Sequence, residues 1–100
     1  MTMSVYADSK WLSDVASNQG WRDLCGYIAQ ADAEEFPNAQ HLCEFGWTPY
    51  PPELRQELER LSANRPPRDM DVRVTLDGLI EAVSRINDPD AIVVVSDGLS

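Results

Sequence analysis

The stretch AIVVV, residues 91–95, decides whether this chain folds as a purely helical bundle or also contains a sheet. Its β-branched residues favour extended backbone. A lone strand leaves its backbone N–H and C=O groups unpaired, so this stretch needs a partner strand. Within the chain the candidates are Val72–Val74 and Met3–Tyr6, and the alternative is a strand of another chain. Pairing within the chain is preferred, because proteins avoid isolated edge strands.

Most of the remaining chain has the periodicity of helices. The clearest helix runs from Pro52 to about Asn64, with leucines 54, 58 and 61 at i, i+4 and i+7 spacing. Four further helices are predicted. The first is capped by Ser9 and has Trp11, Leu12, Val15 and Ala16 on its apolar face; the second covers Trp21–Ala31; and the third runs from Pro37 to Phe45 and is ended by Gly46. The last is capped by Thr75 and has Leu76, Leu79, Ile80, Val83 and Ile86 on one face.

These elements predict a mainly α (α+β) fold. It is a compact bundle of about five short helices, with the C-terminal strand in a small two- or three-stranded sheet. The chain of 100 residues has the size of one domain, so residues 1–100 are predicted to form a single globular domain. An apolar content of 43% fits a folded protein rather than a disordered one.

The net charge of −9 limits the partners that this chain can bind. It repels phosphate backbones and anionic lipid surfaces, so neither direct nucleic-acid binding nor membrane binding is expected. No apolar run approaches the ~20 residues that a membrane helix needs. The N-terminus has no signal-like segment, which predicts a cytoplasmic location. In that compartment Cys25 and Cys43 are expected to be reduced and partly buried.

Residues 23–54 contain no Lys or Arg. The same window holds five aromatic residues, enough apolar area to fold, and therefore predicts a surface that recognises something basic. Its carboxylates are Asp23, Asp32, Glu34, Glu35, Glu44 and Glu53. The arginines of residues 55–73 could fold back over this window. Whether they do decides between an open binding face and an internally balanced surface.

The segment Trp47–Pro52 is the most distinctive part of the window. Its three prolines stiffen the chain, and a stiff loop loses little entropy on binding. Tyr50 has prolines on both sides and is expected to point outward. For Trp47 two interpretations stay open, a binding surface and a clasp folded back onto the core.

Catalytic and metal signatures are not found in the sequence. His41, Cys43 and Cys25 are the soft metal ligands, but their spacing does not match a zinc site. Acidic surroundings raise rather than lower the pKa of a thiol, which argues against a cysteine nucleophile. We therefore expect no catalytic residue, no metal and no cofactor, and no enzymatic activity.

The predicted function is that of a small acidic protein-interaction module that binds a basic partner protein as an inhibitor. Immunity proteins, antitoxins and phage inhibitors that mimic nucleic acid act in this way. One alternative is a structural or oligomerising subunit that uses the C-terminal strand, and another is a small metal-dependent enzyme around His41. The protein is predicted to be a monomer or a homodimer. The predicted partner-binding residues are Asp32, Glu34, Glu35, Glu44, Trp47, Tyr50 and Glu53.

Overall fold

Four strands and four helices make up residues 2–97, the part of the chain that the computed structural model describes. In chain order they are β1 (Thr2–Ala7), β2 (Lys10–Ser17), α1 (Asn18–Ala29), α2 (Pro37–Phe45), β3 (Trp47–Thr48), α3 (Pro51–Asn64), α4 (Met70–Ser84) and β4 (Val93–Ser96). Gly98, which the sequence places in a closing turn, lies outside the described residues.

The strands form one antiparallel sheet in the order β2-β1-β4-β3. Val95 of β4 lies opposite Val5 of β1, and Val93 lies opposite Thr48 of β3. The prediction that the C-terminal strand pairs within the chain is therefore confirmed, with Met3–Tyr6 as its partner. Since β4 has a neighbour on each side, the edges of the described sheet are β2 and β3. This position leaves β4 unavailable for the strand-mediated dimer considered above.

The predicted mainly α bundle of five helices with one strand is wrong, because the protein is an α+β fold with four helices and a four-stranded antiparallel sheet. The residues assigned to the first helix, from Trp11 to Ala16, belong to β2. A two-residue turn joins β1 to β2, and its central residues Asp8 and Ser9 have positive φ values of 50° and 72°. This is the backbone of a type I′ hairpin turn, so Ser9 lies in a turn and caps no helix.

The other helices were largely predictable. Pro37 opens α2 and Gly46 ends it in the left-handed conformation, as expected. Residues 72–74, a candidate partner strand in the sequence, are helical, because α4 begins at Met70 under a cap from Asp69. Val72–Val74 is thus no strand, and the hydroxyl of Thr75 donates to the carbonyl of Asp71 inside the helix instead of capping it.

The hydrophobic core lies between the sheet and the helices. α1, α2 and α4 contact the sheet, while α3 packs on α2 and α4. The leucine stripe of α3 is completely buried, which confirms the clearest sequence prediction. Each such leucine contributes about 1.5–3 kcal/mol of transfer free energy. Among the described residues, no helix has the length and apolarity needed to cross a membrane.

Candidate protein-interaction surface

Three large aromatic side chains lie exposed where α2 passes through β3 into α3. Phe45 is 58% exposed, Trp47 is 43% exposed and Tyr50 is 56% exposed. We call these three residues the aromatic patch. Trp47 is on β3, at one edge of the sheet. Because exposed Trp and Tyr are enriched at the energetic centres of protein interfaces, the patch is the strongest candidate for a binding site.

The turn at Gly46 determines how the patch is built. Its φ of +81° is accessible to glycine without steric cost. The Gly46 N–H donates to the carbonyl of Leu42 at 2.8 Å and ends α2, while the Gly46 carbonyl accepts from the N–H of Val95 at 2.9 Å. The backbone between Phe45 and Trp47 is therefore tied both to the helix and to the central strand of the sheet.

His41 supports the patch from one turn earlier on α2. Its ring centroid lies 4.7 Å from that of Phe45 and 4.8 Å from that of Trp47, the latter in an edge-on arrangement. His41 Nδ1 is 2.7 Å from the carbonyl oxygen of Trp47, a contact in which the ring nitrogen donates its proton. The histidine thus links the end of α2 to β3 and limits the movement of both neighbouring rings.

Tyr50 has an unusual backbone conformation. Its φ of 62° and ψ of 65° lie in the left-handed region, which costs a residue other than glycine roughly 1–2 kcal/mol. Pro51 behind it is buried at the start of α3, and the Tyr50 carbonyl accepts from the N–H of Leu54 at 3.1 Å. The predicted exposure of the Tyr50 ring is confirmed. Strain of this kind is concentrated at functional positions, where the surrounding structure maintains it.

The predicted partner-binding residues divide into two groups. Glu44 on the last turn of α2 and Glu53 on the first turn of α3 lie next to the aromatic patch along the chain. Residues 32–35, which we call the acidic loop, precede α2 and contain Asp32, Glu34 and Glu35. α2 has nine residues, so its ends are about 13 Å apart at 1.5 Å per residue. The acidic loop is therefore separated from the aromatic patch by the length of a helix.

The acidic loop has a defined conformation. Asp32 accepts from the N–H of Glu34 through its side chain at 2.9 Å, and from the N–H of Phe36 through its carbonyl at 3.0 Å. The side-chain amide of Gln40 donates to the carbonyls of Ile28 and Ala31 at the end of α1. These bonds hold the loop in place while all three of its carboxylates remain exposed.

The arginines of residues 55–73 cover the acidic window only in part. Arg60 lies over the ring of Phe36, 5.7 Å from its centroid, and donates to the backbone carbonyl of Glu35 at 3.1 Å. Within residues 2–97 the ion pairs are Arg55–Glu59 and Arg85–Glu81, and neither involves the window. The exposed carboxylates of the window therefore have no ion-pair partner among the described residues.

Cys25 and Cys43 form a disulfide between α1 and α2, with their Cα atoms 5.4 Å apart. The prediction of reduced thiols is wrong, because the packing of α1 against α2 brings together two half-buried cysteines 18 residues apart. Disulfides persist mainly in oxidising compartments, and the cytoplasmic location stays a prediction.

The arrangement around His41 does not resemble a metal centre. The sulfur of Cys43 is bonded to Cys25, and His41 Nδ1 contacts a backbone carbonyl. In the described part of the chain, no group of three or more His, Cys, Asp or Glu side chains is placed to hold a metal ion. A role in supporting the aromatic patch accounts for the contacts that His41 makes.

Two members of this arrangement, Phe45 and His41, are absent from the predicted partner-binding residues, and from the sequence His41 was considered only as a metal ligand. The available signal was their i, i+4 spacing just before a helix-ending glycine, which places both rings at the end where the chain turns back.

Comparison with protein-family models, with curated proteins and with solved structures gives no match.

Proposed function

We propose that this protein is a small acidic interaction module that binds a basic partner protein through the aromatic patch and inhibits that partner. The observation that supports this function is the exposure of three aromatic rings whose neighbours along the chain, Glu44 and Glu53, have no ion-pair partner in the described structure. Immunity proteins, antitoxins and phage inhibitors that mimic nucleic acid provide the model, since they cover a basic surface with an acidic one.

The aromatic patch would supply most of the binding free energy. Trp and Tyr bring large contact areas with few rotatable bonds, and truncating such anchors commonly costs 2 kcal/mol or more. Here the backbone is already ordered by Gly46, by the contact from His41 and by the prolines around Tyr50. Preorganisation lowers the entropy lost on binding, so more of the contact energy remains as affinity.

The carboxylates would determine which charge the partner must have. Glu44 and Glu53 neighbour the patch along the chain, and the acidic loop adds charge at the other end of α2. Such charges steer a basic partner towards the surface and accelerate association, while contributing less to the final affinity. They also disfavour acidic partners and nucleic acid, which gives the module its selectivity.

The test is affinity capture from the native host followed by mass spectrometry, with three tagged proteins in parallel: wild type, a Trp47→Ala/Tyr50→Ala variant and a Trp11→Ala variant. Trp11 is a matched control because its side chain is exposed as well but lies on β2, at the opposite edge of the sheet. We expect a basic protein to be captured by the wild type and by Trp11→Ala, and to be lost from the double variant.

Equal capture by all three proteins would show that the aromatic patch is not the binding site. Capture of acidic proteins alone would contradict the prediction that the partner is positively charged. Once a basic partner is identified, its own activity should fall on addition of the wild-type protein and not on addition of the Trp47→Ala/Tyr50→Ala variant. Unchanged partner activity on addition of the wild type would rule out inhibition.

A further inference from the structure

A second surface feature lies on α1, where the connection between α3 and α4 passes over it. It consists of two adjoining hollows with volumes of about 140 Å³ and 450 Å³. Tyr27 and Gln30 of α1 line both of them. Arg65 lines the smaller hollow, and Arg22 and Arg68 line the larger one. We call these five residues the arginine cleft.

The hydroxyl of Tyr27 is the most informative atom of the cleft. It is shielded from solvent and has no hydrogen-bond partner among the described residues. Burial raises the pKa of Tyr27, while the nearby charge of Arg65 acts in the opposite direction. The group is therefore a protonated donor at neutral pH. Buried polar groups in proteins nearly always have a partner, so this hydroxyl is a donor whose acceptor is not among the described residues. A ligand oxygen can accept from it when the Tyr27 ring shifts to admit that oxygen.

The arginine cleft contains three positively charged residues, although the chain as a whole has a net charge of −9. None of the three takes part in an ion pair or a side-chain hydrogen bond within residues 2–97. Two carboxylates also line the larger hollow, but each has a partner: Asp23 accepts from Gln19 Nε2 at 2.9 Å, and Asp69 accepts from the N–H of Asp71 at 2.8 Å. The lining of the larger hollow thus contains two arginines and two carboxylates, and the smaller hollow contains Arg65 and no carboxylate.

We propose that the arginine cleft binds a small oxyanion, such as the phosphate or carboxylate group of a small molecule. The Tyr27 hydroxyl and the Gln30 amide supply neutral donors, and Arg65 supplies the charge beside them. Guanidinium groups suit oxyanions because their donors are planar and paired. A water occupies about 30 Å³ in the liquid, so the smaller hollow has room for an oxyanion and part of its hydration. This site is independent of the aromatic patch and of the function proposed for it.

The test is a titration of the full-length protein with inorganic phosphate, and separately with sodium acetate, at constant ionic strength maintained with sodium chloride. Binding is followed by amide and side-chain shifts in ¹H–¹⁵N NMR spectra. We expect saturable shifts centred on Tyr27, on the side-chain amide of Gln30 and on Arg65. A response to phosphate identifies a phosphoryl ligand, and a response to acetate alone identifies a carboxylate ligand. Removing one charged donor should weaken binding about tenfold in Arg65→Gln, and Tyr27→Phe should weaken it several-fold.

Arg55→Gln is the matched control, because Arg55 is on the exposed side of α3 and pairs with Glu59. It should bind the anion as the wild type does, and circular dichroism confirms that each variant is folded. General salt effects on the protein are shared by all variants and cancel in this comparison. Non-saturating shifts spread over the surface, or equal binding by Arg65→Gln, Tyr27→Phe and the wild type, would overturn the proposal.

Discussion

Glu57 supplies the N-terminal cap that α2 lacks in its own sequence. The residue before this helix, Phe36, makes no side-chain cap bond. Instead the buried carboxylate of Glu57, on α3, accepts from Asn38 Nδ2 at 2.6 Å and from the N–H of Ala39 at 3.0 Å. A negative charge at this position also interacts favourably with the dipole of α2. Since α2 leads directly into the aromatic patch, this one side chain helps to position the candidate site.

Replacing Glu57 by alanine should lower the free energy of unfolding by about 2–3 kcal/mol. The change removes charge-assisted hydrogen bonds and leaves two donors at the start of α2 without their acceptor. Urea denaturation measures the loss. The control is Glu59→Ala, because Glu59 is an exposed glutamate of the same helix, paired with Arg55, and should lose no more than about 0.5 kcal/mol. Equal losses in the two variants would mean that Glu57 is not a cap.

The strand β2 explains why the sequence predicted one helix too many. Six residues of β1 lie opposite eight residues of β2, and the register shifts at two points. Each shift is a bulge that inserts one extra residue and breaks the two-residue alternation of a strand. As a result Leu12 and Val15, three residues apart, both pack against the core. Two bulges in a short strand thus produce the i, i+3 spacing that is typical of a helix. No local pattern in this segment distinguishes a bulged strand from a helix.

Features determined by local chemistry were predictable from sequence. Pro37 and Gly46 mark the ends of α2, the leucine stripe identifies α3, and the prolines around Tyr50 predict its exposure. Of the features that depend on distant pairing, the pairing of β4 with Met3–Tyr6 was one of two predicted candidates, whereas the side-chain contacts between helices were missed. Glu57 looks like one more exposed charge of a helix until Asn38, 19 residues away, is placed against it. For the same reason the candidate site was predicted as one acidic surface, although α2 separates its two halves.

The hairpin between β1 and β2 offers a stabilising substitution. Ser9 has a φ of 72°, and a serine in this region carries a steric penalty that glycine avoids. Ser9→Gly should therefore raise the free energy of unfolding by about 0.5–1 kcal/mol in thermal or urea denaturation. Ser13→Gly, placed within β2 opposite Val5, is the control and should be destabilising. A loss of stability in Ser9→Gly would show that the turn does not have this conformation in solution.

The disulfide between α1 and α2 should be a major source of stability. Cross-linking residues 18 positions apart removes unfolded-state entropy worth about 3 kcal/mol. Adding a reductant should lower the free energy of unfolding by about this amount, as measured by urea denaturation. A Cys25→Ala/Cys43→Ala variant is the control, since its stability should not respond to reductant. Alkylation of the unreduced wild type at both cysteines, detected by mass spectrometry, would contradict the presence of the bond.

At the scale of the whole molecule, charge and apolar exposure are distributed unevenly. The ion pairs of the described residues lie within single helices, so they do not connect the acidic window to the rest of the protein. Of the five arginines without an ion pair in the described residues, Arg22, Arg65 and Arg68 line the arginine cleft on α1, whereas Arg60 and Arg73 do not. The acidic loop, Glu44 and Glu53 thus lie around α2, while these three arginines line the hollows on α1. If both proposals hold, the two surfaces bind ligands of opposite charge.

Association with the partner of the aromatic patch should depend strongly on salt. If the carboxylates around α2 steer a basic partner, raising the ionic strength from about 0.02 M to 0.2 M should slow association by tenfold or more and change dissociation much less. Stopped-flow or surface-based kinetics with the captured partner measure both rates. Glu44→Gln/Glu53→Gln and Asp32→Asn/Glu34→Gln/Glu35→Gln neutralise the two groups separately. The set of carboxylates whose neutralisation reduces the salt dependence of association more is the set that faces the partner. An association rate that stays constant over this range of salt would exclude electrostatic steering and leave the aromatic patch as the sole determinant of recognition.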